Sequence, residues 1–147
     1  MVKRIVVIGI GNIIMKDDGI GVRVVESIRS SLIARGITAV VGETDFQYCL
    51  EYISFDDFLV IIDAMDIGLE PGGIEKVPLS EALNNSSFQY SQHGSSLLNS
   101  LLLYYPNIKG YFIGIQVAEI EFGVGLSKKL NACYAEICAT VLEAVLN

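Results

Sequence analysis

Ile5-Val-Val-Ile8 runs directly into Gly9-Ile-Gly-Asn-Ile-Ile-Met-Lys-Asp-Asp-Gly-Ile-Gly21, and the reading of this stretch decides the fold. The apolar, β-branched start predicts a central parallel strand covered on both faces. Beyond the segment, Val22, Val25, Ile28 and Leu32 recur at helical spacing up to Gly36, which suits a left-handed helix terminus. The segment is therefore a loop at a strand's carboxyl end, where open α/β sheets place their ligands. It carries spaced glycines, Asn12 and the adjacent carboxylates Asp17 and Asp18.

A nucleotide site is the first reading to test, because Gly9-x-Gly11 after a strand begins a dinucleotide fingerprint. The third position fails, since Ile14 stands where Gly or Ala is needed. Two carboxylates at the start of the helix also oppose a pyrophosphate, which needs that end electropositive. No Gly-Lys-Ser/Thr of a phosphate-binding loop occurs. What remains is a set of oxygen ligands for a cation, a proton or a backbone amide. An Asp just before a helix ordinarily accepts from the first free N–H groups, so one of the pair is expected to be an N-cap. The second then needs another reason, and local position does not separate a cap from a ligand at Asp18.

Working outward, residues 37–43 read as a second strand and 46–55 as a short helix. Residues 58–63 form the clearest apolar run, with Asp63 at its carboxyl end. Residues 68–73 are turn chemistry, 74–77 a short edge strand, and the polar stretch around 84–87 a mobile loop. His93, the sole histidine, opens an apolar helix over 97–105 that Pro106 stops. After a strand at 111–117, Ser127 caps a last helix whose Leu130, Tyr134, Ile137, Val141 and Val145 form one stripe. Strands alternating with helices predict a three-layer αβα fold with a mostly parallel central sheet of about five strands.

The 147 residues make one domain, 1–147, and 52% hydrophobic against 18% charged residues fits a compact core. With 17 acidic and 10 basic residues the net charge is -7, and nucleic acid is excluded as a partner. The start is basic and then apolar, but Asn12 interrupts it and Lys16-Asp17-Asp18 replaces a small-residue cleavage site, so it reads as a strand and not an export signal. No apolar run approaches the roughly 20 residues a bilayer requires. The expectation is a cytoplasmic monomer with no membrane partner. Cys49, Cys133 and Cys138 form no C-x-x-C pair and read as reduced thiols, the last two buried in the terminal helical stripe.

Asp18, Asp63 and His93 are thus expected at one sheet edge. Alone, a single histidine is more often a surface or core residue than a ligand. A carboxylate closing an apolar run carries more functional weight. Two carboxylates and an imidazole suit a borderline divalent metal such as zinc or nickel with coordination positions left open. There is no Gly-x-Ser-x-Gly elbow and no His-Glu-x-x-His.

Gly9 to Val22, Ile61-Ile-Asp-Ala64, Ser91-Gln-His93, Gly114-Ile-Gln116 and Glu121-Phe-Gly-Val-Gly-Leu-Ser127 closely resemble the hydrogenase maturation endopeptidases, along nearly the whole chain. The resemblance implies removal of a C-terminal extension from the precursor of a nickel-iron hydrogenase large subunit after nickel insertion. It maps the metal-binding and catalytic positions onto Asp18, Asp63 and His93, the nickel arriving with the precursor. Asp18 stands where the family commonly has Glu. Gln92 and Gly94 replace the usual Pro and Gln around the histidine, and Val117 replaces a usual Pro, changes that bear on partner choice before metal chemistry. The metal then either polarises the scissile carbonyl or activates water, or it positions the bond while a carboxylate acts as base. Two alternatives stand beside this: a metallopeptidase or amidohydrolase with resident zinc, and a non-catalytic nickel-dependent module that binds the precursor.

Overall fold

A computed structural model of the chain describes residues 3–84 and 92–147, with side chains at 3–83 and 96–147. Among the described residues five strands and five α-helices follow one another as β1 (Ile5–Ile10), α1 (Ile20–Ala34), β2 (Thr38–Glu43), α2 (Phe46–Glu51), β3 (Phe58–Met65), β4 (Ile74–Pro78), α3 (Leu79–Asn84), α4 (Gln92–Tyr104), β5 (Lys109–Gln116) and α5 (Lys128–Leu146). A 3-10 turn, Lys16–Gly19, lies between β1 and α1. The sheet order is β2-β1-β3-β5-β4, parallel except for the antiparallel edge strand β4. This is the expected three-layer α/β arrangement.

Alternation along the strands divides the core into two apolar clusters, one on each face. Val7 of β1 and Val60, Ile62 and Ala64 of β3 pack with Val24, Val25, Ile28 and Leu32 of α1 and Leu130, Ile137 and Val141 of α5. Val6, Ile8, Leu59 and Ile61 pack on the opposite side with Cys49 and with Leu97, Leu98 and Leu101 of α4. Burial on both faces is what a β-branched run without polar alternation requires. The chain leaves β1 toward β2 on one side and returns to β3 on the other, so strand order reverses between β1 and β3.

Glycines control how closely α1 approaches that junction. A Cβ at Gly21 would overlap the carbonyl oxygens of Ile62 on β3 and Ile10 on β1. The helix start is therefore seated against both strands, and the glycine spacing that evokes a phosphate loop serves packing. At the other end of α1, Gly36 has a φ of 75° and its N–H bonds Ile33 O at 3.0 Å, while the Ile37 N–H bonds Leu32 O. This is the left-handed terminus expected there.

Several boundaries differ from the sequence reading. The helix of 46–55 stops at Glu51 after being capped by Asp45, whose side chain accepts from the Tyr48 N–H. β3 runs two residues past Asp63, because Ala64 and Met65 still pair with Ile115 and Gln116. Residues 79–84 form α3, while the loop expected near 84–87 lies beyond the described side chains and mostly outside the described residues. Cys133 and Cys138 are only half-buried, and Cys49 is the deep thiol; burial pushes it up to about 12. All three are free thiols. Among the described residues no helix is long and apolar enough to cross a membrane.

Candidate functional site

The 3-10 turn after β1 presents three charged residues in succession, and the structure gives each a different partner. Lys16, with a φ of 47°, extends to Glu121 at 2.8 Å and Glu119 at 3.2 Å. These contacts raise its pKa, the hydrogen bond that Lys16 donates to Glu121 contributing most. Asp17 is fully buried and accepts four hydrogen bonds. They come from the Ala118 and Glu119 N–H groups at 2.9 Å, the Ser127 N–H at 2.7 Å and the Ser127 hydroxyl at 2.8 Å. Asp18, also buried, accepts at Oδ2 from the Asn12 N–H at 2.9 Å.

Neither carboxylate is the expected N-cap. Gly19 occupies that position for α1 and no side chain caps it. The intervening 3-10 turn moves both acids upstream of the helix, so Asp17 is spent on the β5–α5 loop and Asp18 on the loop after β1. Sequence reasoning saw the pair but not this division. The partners of Asp17 lie about a hundred residues downstream, beyond the reach of any local pattern.

Asp63 is fully buried on β3, where its Oδ1 accepts from the Ala64 N–H at 2.7 Å. Its partner in register on β5 is Gly114. By alternation it falls on the face of Leu59 and Ile61, the face covered by α4. The 3-10 turn carrying Asp18 packs against β3, so both acids belong to the β1/β3 junction where the strand order reverses. Open α/β sheets bind ligands at that junction.

His93 lies in the first turn of α4. Its position is one helical turn before Leu97 and two before Leu101, both buried against the sheet face on which Asp63 falls. The topology thus brings the helix start to the side of the sheet that Asp63 occupies. The His93 side chain and Ser91 are outside what is described. Among the described residues no three His, Cys, Asp or Glu side chains form a group able to hold a metal. Asp18 and Asp63 could each offer an oxygen donor to a metal, a third ligand then coming from the His93 position or from a substrate.

Two loops frame the junction. Gln116, buried at the end of β5, donates to Asp66 Oδ1 at 3.0 Å and accepts from the Ile67 and Leu69 N–H groups, which fixes the segment after β3. The sequence reading noted Gln116 only within a motif; its work as a hub for residues 66–69 leaves no local signature. The β5–α5 loop pairs with the loop after β1 through Lys16 N–H to Gly123 O at 3.0 Å and Gly123 N–H to Ile14 O at 2.9 Å. This second loop exposes Phe122 and Val124, each 81% accessible, together with Ile120 and the neighbouring Ile14.

Comparison with known proteins agrees with this architecture. The profile of a family described as hydrogenase maturation protease matches residues 22–144, a span that includes Asp63 and His93 and begins just after Asp18. The hydrogenase expression/formation protein HupD of Bradyrhizobium diazoefficiens is 43% identical over 76 residues, covering 51% of this chain and 40% of that protein. The chain therefore spans less than half the length of that relative. The hydrogenase expression/formation protein HoxM of Cupriavidus necator is 32% identical over 136 residues, 87% of this chain and 67% of its own length. Among solved structures, the hydrogenase maturating endopeptidase HybD of Escherichia coli superposes with a TM-score of 0.76 at 25% identity, covering 97% of this chain and 91% of that one. A match over most of the chain, carried on the same five-stranded sheet and enclosing the β3 carboxylate, places it: the chain belongs to the hydrogenase maturation protease family.

Proposed function

We propose that the protein is an endopeptidase that removes the C-terminal extension of a nickel-iron hydrogenase large-subunit precursor once nickel has been inserted. The observation that carries this reading is the pair of buried carboxylates, Asp18 and Asp63, at the switch point of the sheet, with His93 on the helix start above the same face. Backbone N–H groups orient both carboxylates. Asp18, Asp63 and His93 then offer two oxygens and a nitrogen to a divalent ion carried by the precursor, a donor set suited to nickel or zinc.

Docking through the metal explains selectivity. A precursor without nickel lacks the anchor and binds more weakly, so the loaded form is cut first. Once the tail is held, either the metal polarises the scissile carbonyl or activates water, or a carboxylate of the pair acts as general base toward water. The exposed Phe122, Val124, Ile120 and Ile14 at the site's edge favour a polypeptide over a small molecule, because apolar side chains clustered in this way mark macromolecular contacts. The family membership and the names of the relatives point to the same substrate class.

The test is an electrophoretic processing assay with purified protein and a large-subunit precursor from the same cell, nickel-loaded or nickel-free. Shortening of the loaded form alone supports the proposal. Equal cleavage of both forms overturns the nickel-dependent docking, and cleavage of neither by a protein that still binds the loaded precursor overturns the peptidase.

A further inference from the structure

Asp17 has no part in the chemistry proposed above, yet it is fully buried and heavily bonded. Four donors converge on it: Ala118 N–H, Glu119 N–H and the Ser127 hydroxyl on Oδ2, and Ser127 N–H on Oδ1. A carboxylate is the side chain that accepts at both oxygens. An asparagine in its place keeps one oxygen and turns an NH2 toward a donor. Burial of a polar group is costly unless its acceptor sites are filled. Asp17 is fully buried, so this carboxylate fastens the β5–α5 loop to the 3-10 turn strongly enough to fix where that turn sits.

From this we infer that Asp17 is the positioning residue for Asp18. The two are consecutive in one 3-10 turn, and the Asp18 N–H closes the turn on Met15 O at 3.1 Å. The loop after β1 is otherwise held from inside by the Asn12 N–H bond to Asp18 and from outside by residues 118–127. Releasing Asp17 lets the turn shift and carries Asp18 with it. Lys16 joins the same two segments through Glu119 and Glu121, but these ion pairs are solvent-facing and contribute little. Ser127 links the anchor to α5, because its hydroxyl also accepts from the Leu130 N–H at 3.3 Å as the helix N-cap. The terminal helix and the turn carrying the site carboxylate are therefore tied through one buried group, beside the backbone bonds of Lys16 to Gly123, Gly123 to Ile14 and Asp17 to Glu119.

The activity arm of the test rests on the peptidase reading; a second arm does not. Single-turnover and steady-state processing by Asp17→Asn are compared with wild type and with Lys16→Ala at a temperature where each is fully folded. Misplacement of a catalytic group by a fraction of an ångström predicts that Asp17→Asn lowers kcat about tenfold or more with KM within about twofold, while Lys16→Ala stays near wild type. In parallel, the amide resonance of Asn12, which donates to Asp18, is followed by two-dimensional NMR. It moves in Asp17→Asn and stays in place in Lys16→Ala. Ser127→Ala, which removes one of the four bonds, gives a smaller displacement in the same direction and keeps the test available if Asp17→Asn fails to fold. Unchanged kcat and an unmoved Asn12 amide in a destabilised Asp17→Asn would reduce Asp17 to a fold-holding residue and overturn the inference. Absence of cleavage by wild type would overturn the peptidase reading and leave the NMR comparison decisive for Asp17.

Discussion

At the amino ends of β1 and β3, Asp57 is answered by an arginine; at the carboxyl ends of the same strands, Asp18 and Asp63 accept from backbone amides. Asp57 receives Nε of Arg4 at 3.1 Å and Nη2 at 2.7 Å, and the Ser54 N–H at 2.8 Å. Arg4 also reaches Tyr52 O, and its own carbonyl accepts from the Phe58 N–H, so the entry to β3 is tied to the entry to β1. A two-pronged arginine pair spends the carboxylate's charge on holding the fold. Amide donors such as Asn12 N–H and Ala64 N–H orient a carboxylate and contribute no opposing unit charge of their own. One sheet thus carries buried acids at both ends: an arginine-paired acid anchors the amino end, and the acids of the proposed site stand at the carboxyl end. Asp17, with its four donors, sits beside a site acid but belongs to the anchoring class.

The largest expected break in this contrast comes from Asp18→Ala and His93→Ala. Each is predicted to lower precursor processing about 100-fold or more while circular dichroism stays native, because residues on loop ends and a helix's first turn carry little core packing. Loss of the native spectrum in either variant would move that residue into the anchoring class.

Gly21→Ala tests the packing at the same end. Its added methyl meets the carbonyls of Ile62 and Ile10, so a loss of about 3 kcal/mol is expected in chemical denaturation. A stability near wild type would mean that the α1 start is not wedged against β1 and β3.

Asp57→Asn sharpens the other end and has a smaller effect, roughly 2 kcal/mol at neutral pH. Burial alone would raise the Asp57 carboxyl, but the Arg4 hydrogen bond, the Ser54 N–H and the Arg4 charge outweigh it and hold the pKa below the usual range. A folded pKa below the unfolded value of about 3.9 means the stabilisation is present above that pH and is lost as pH falls through the folded value. The gap between wild type and Asp57→Asn should therefore be constant from neutrality to about pH 5 and close below about pH 4. A gap independent of pH down to 2 would show that the ion pair is not its source.

How much of this was legible in the sequence follows from the range of each interaction. Val6 to Ile8 and Leu59 to Ile62 are apolar without alternation, which specifies strands covered on both sides, and the stripe from Leu130 to Val145 is read directly from helical spacing. Asp63 was visible as an acid ending an apolar run, although β3 continues to Met65 because cross-strand pairing with β5 outlasts the apolar pattern. The 3-10 turn was not legible: an Asp before a helix has the same local signature whether it caps or, like Asp17, binds a loop a hundred residues away. Arg4 and Asp57 were equally silent, since nothing near either residue announces a pairing across 53 positions.

The most direct measurement compares Asp63→Asn with Asp57→Asn in the processing assay on nickel-loaded precursor, both nearly isosteric and both read at a temperature where each is folded. The account predicts that Asp63→Asn folds and does not process, while Asp57→Asn is less stable and processes at close to the wild-type rate. Wild-type processing by Asp63→Asn would contradict the assignment of the carboxyl end as the working site.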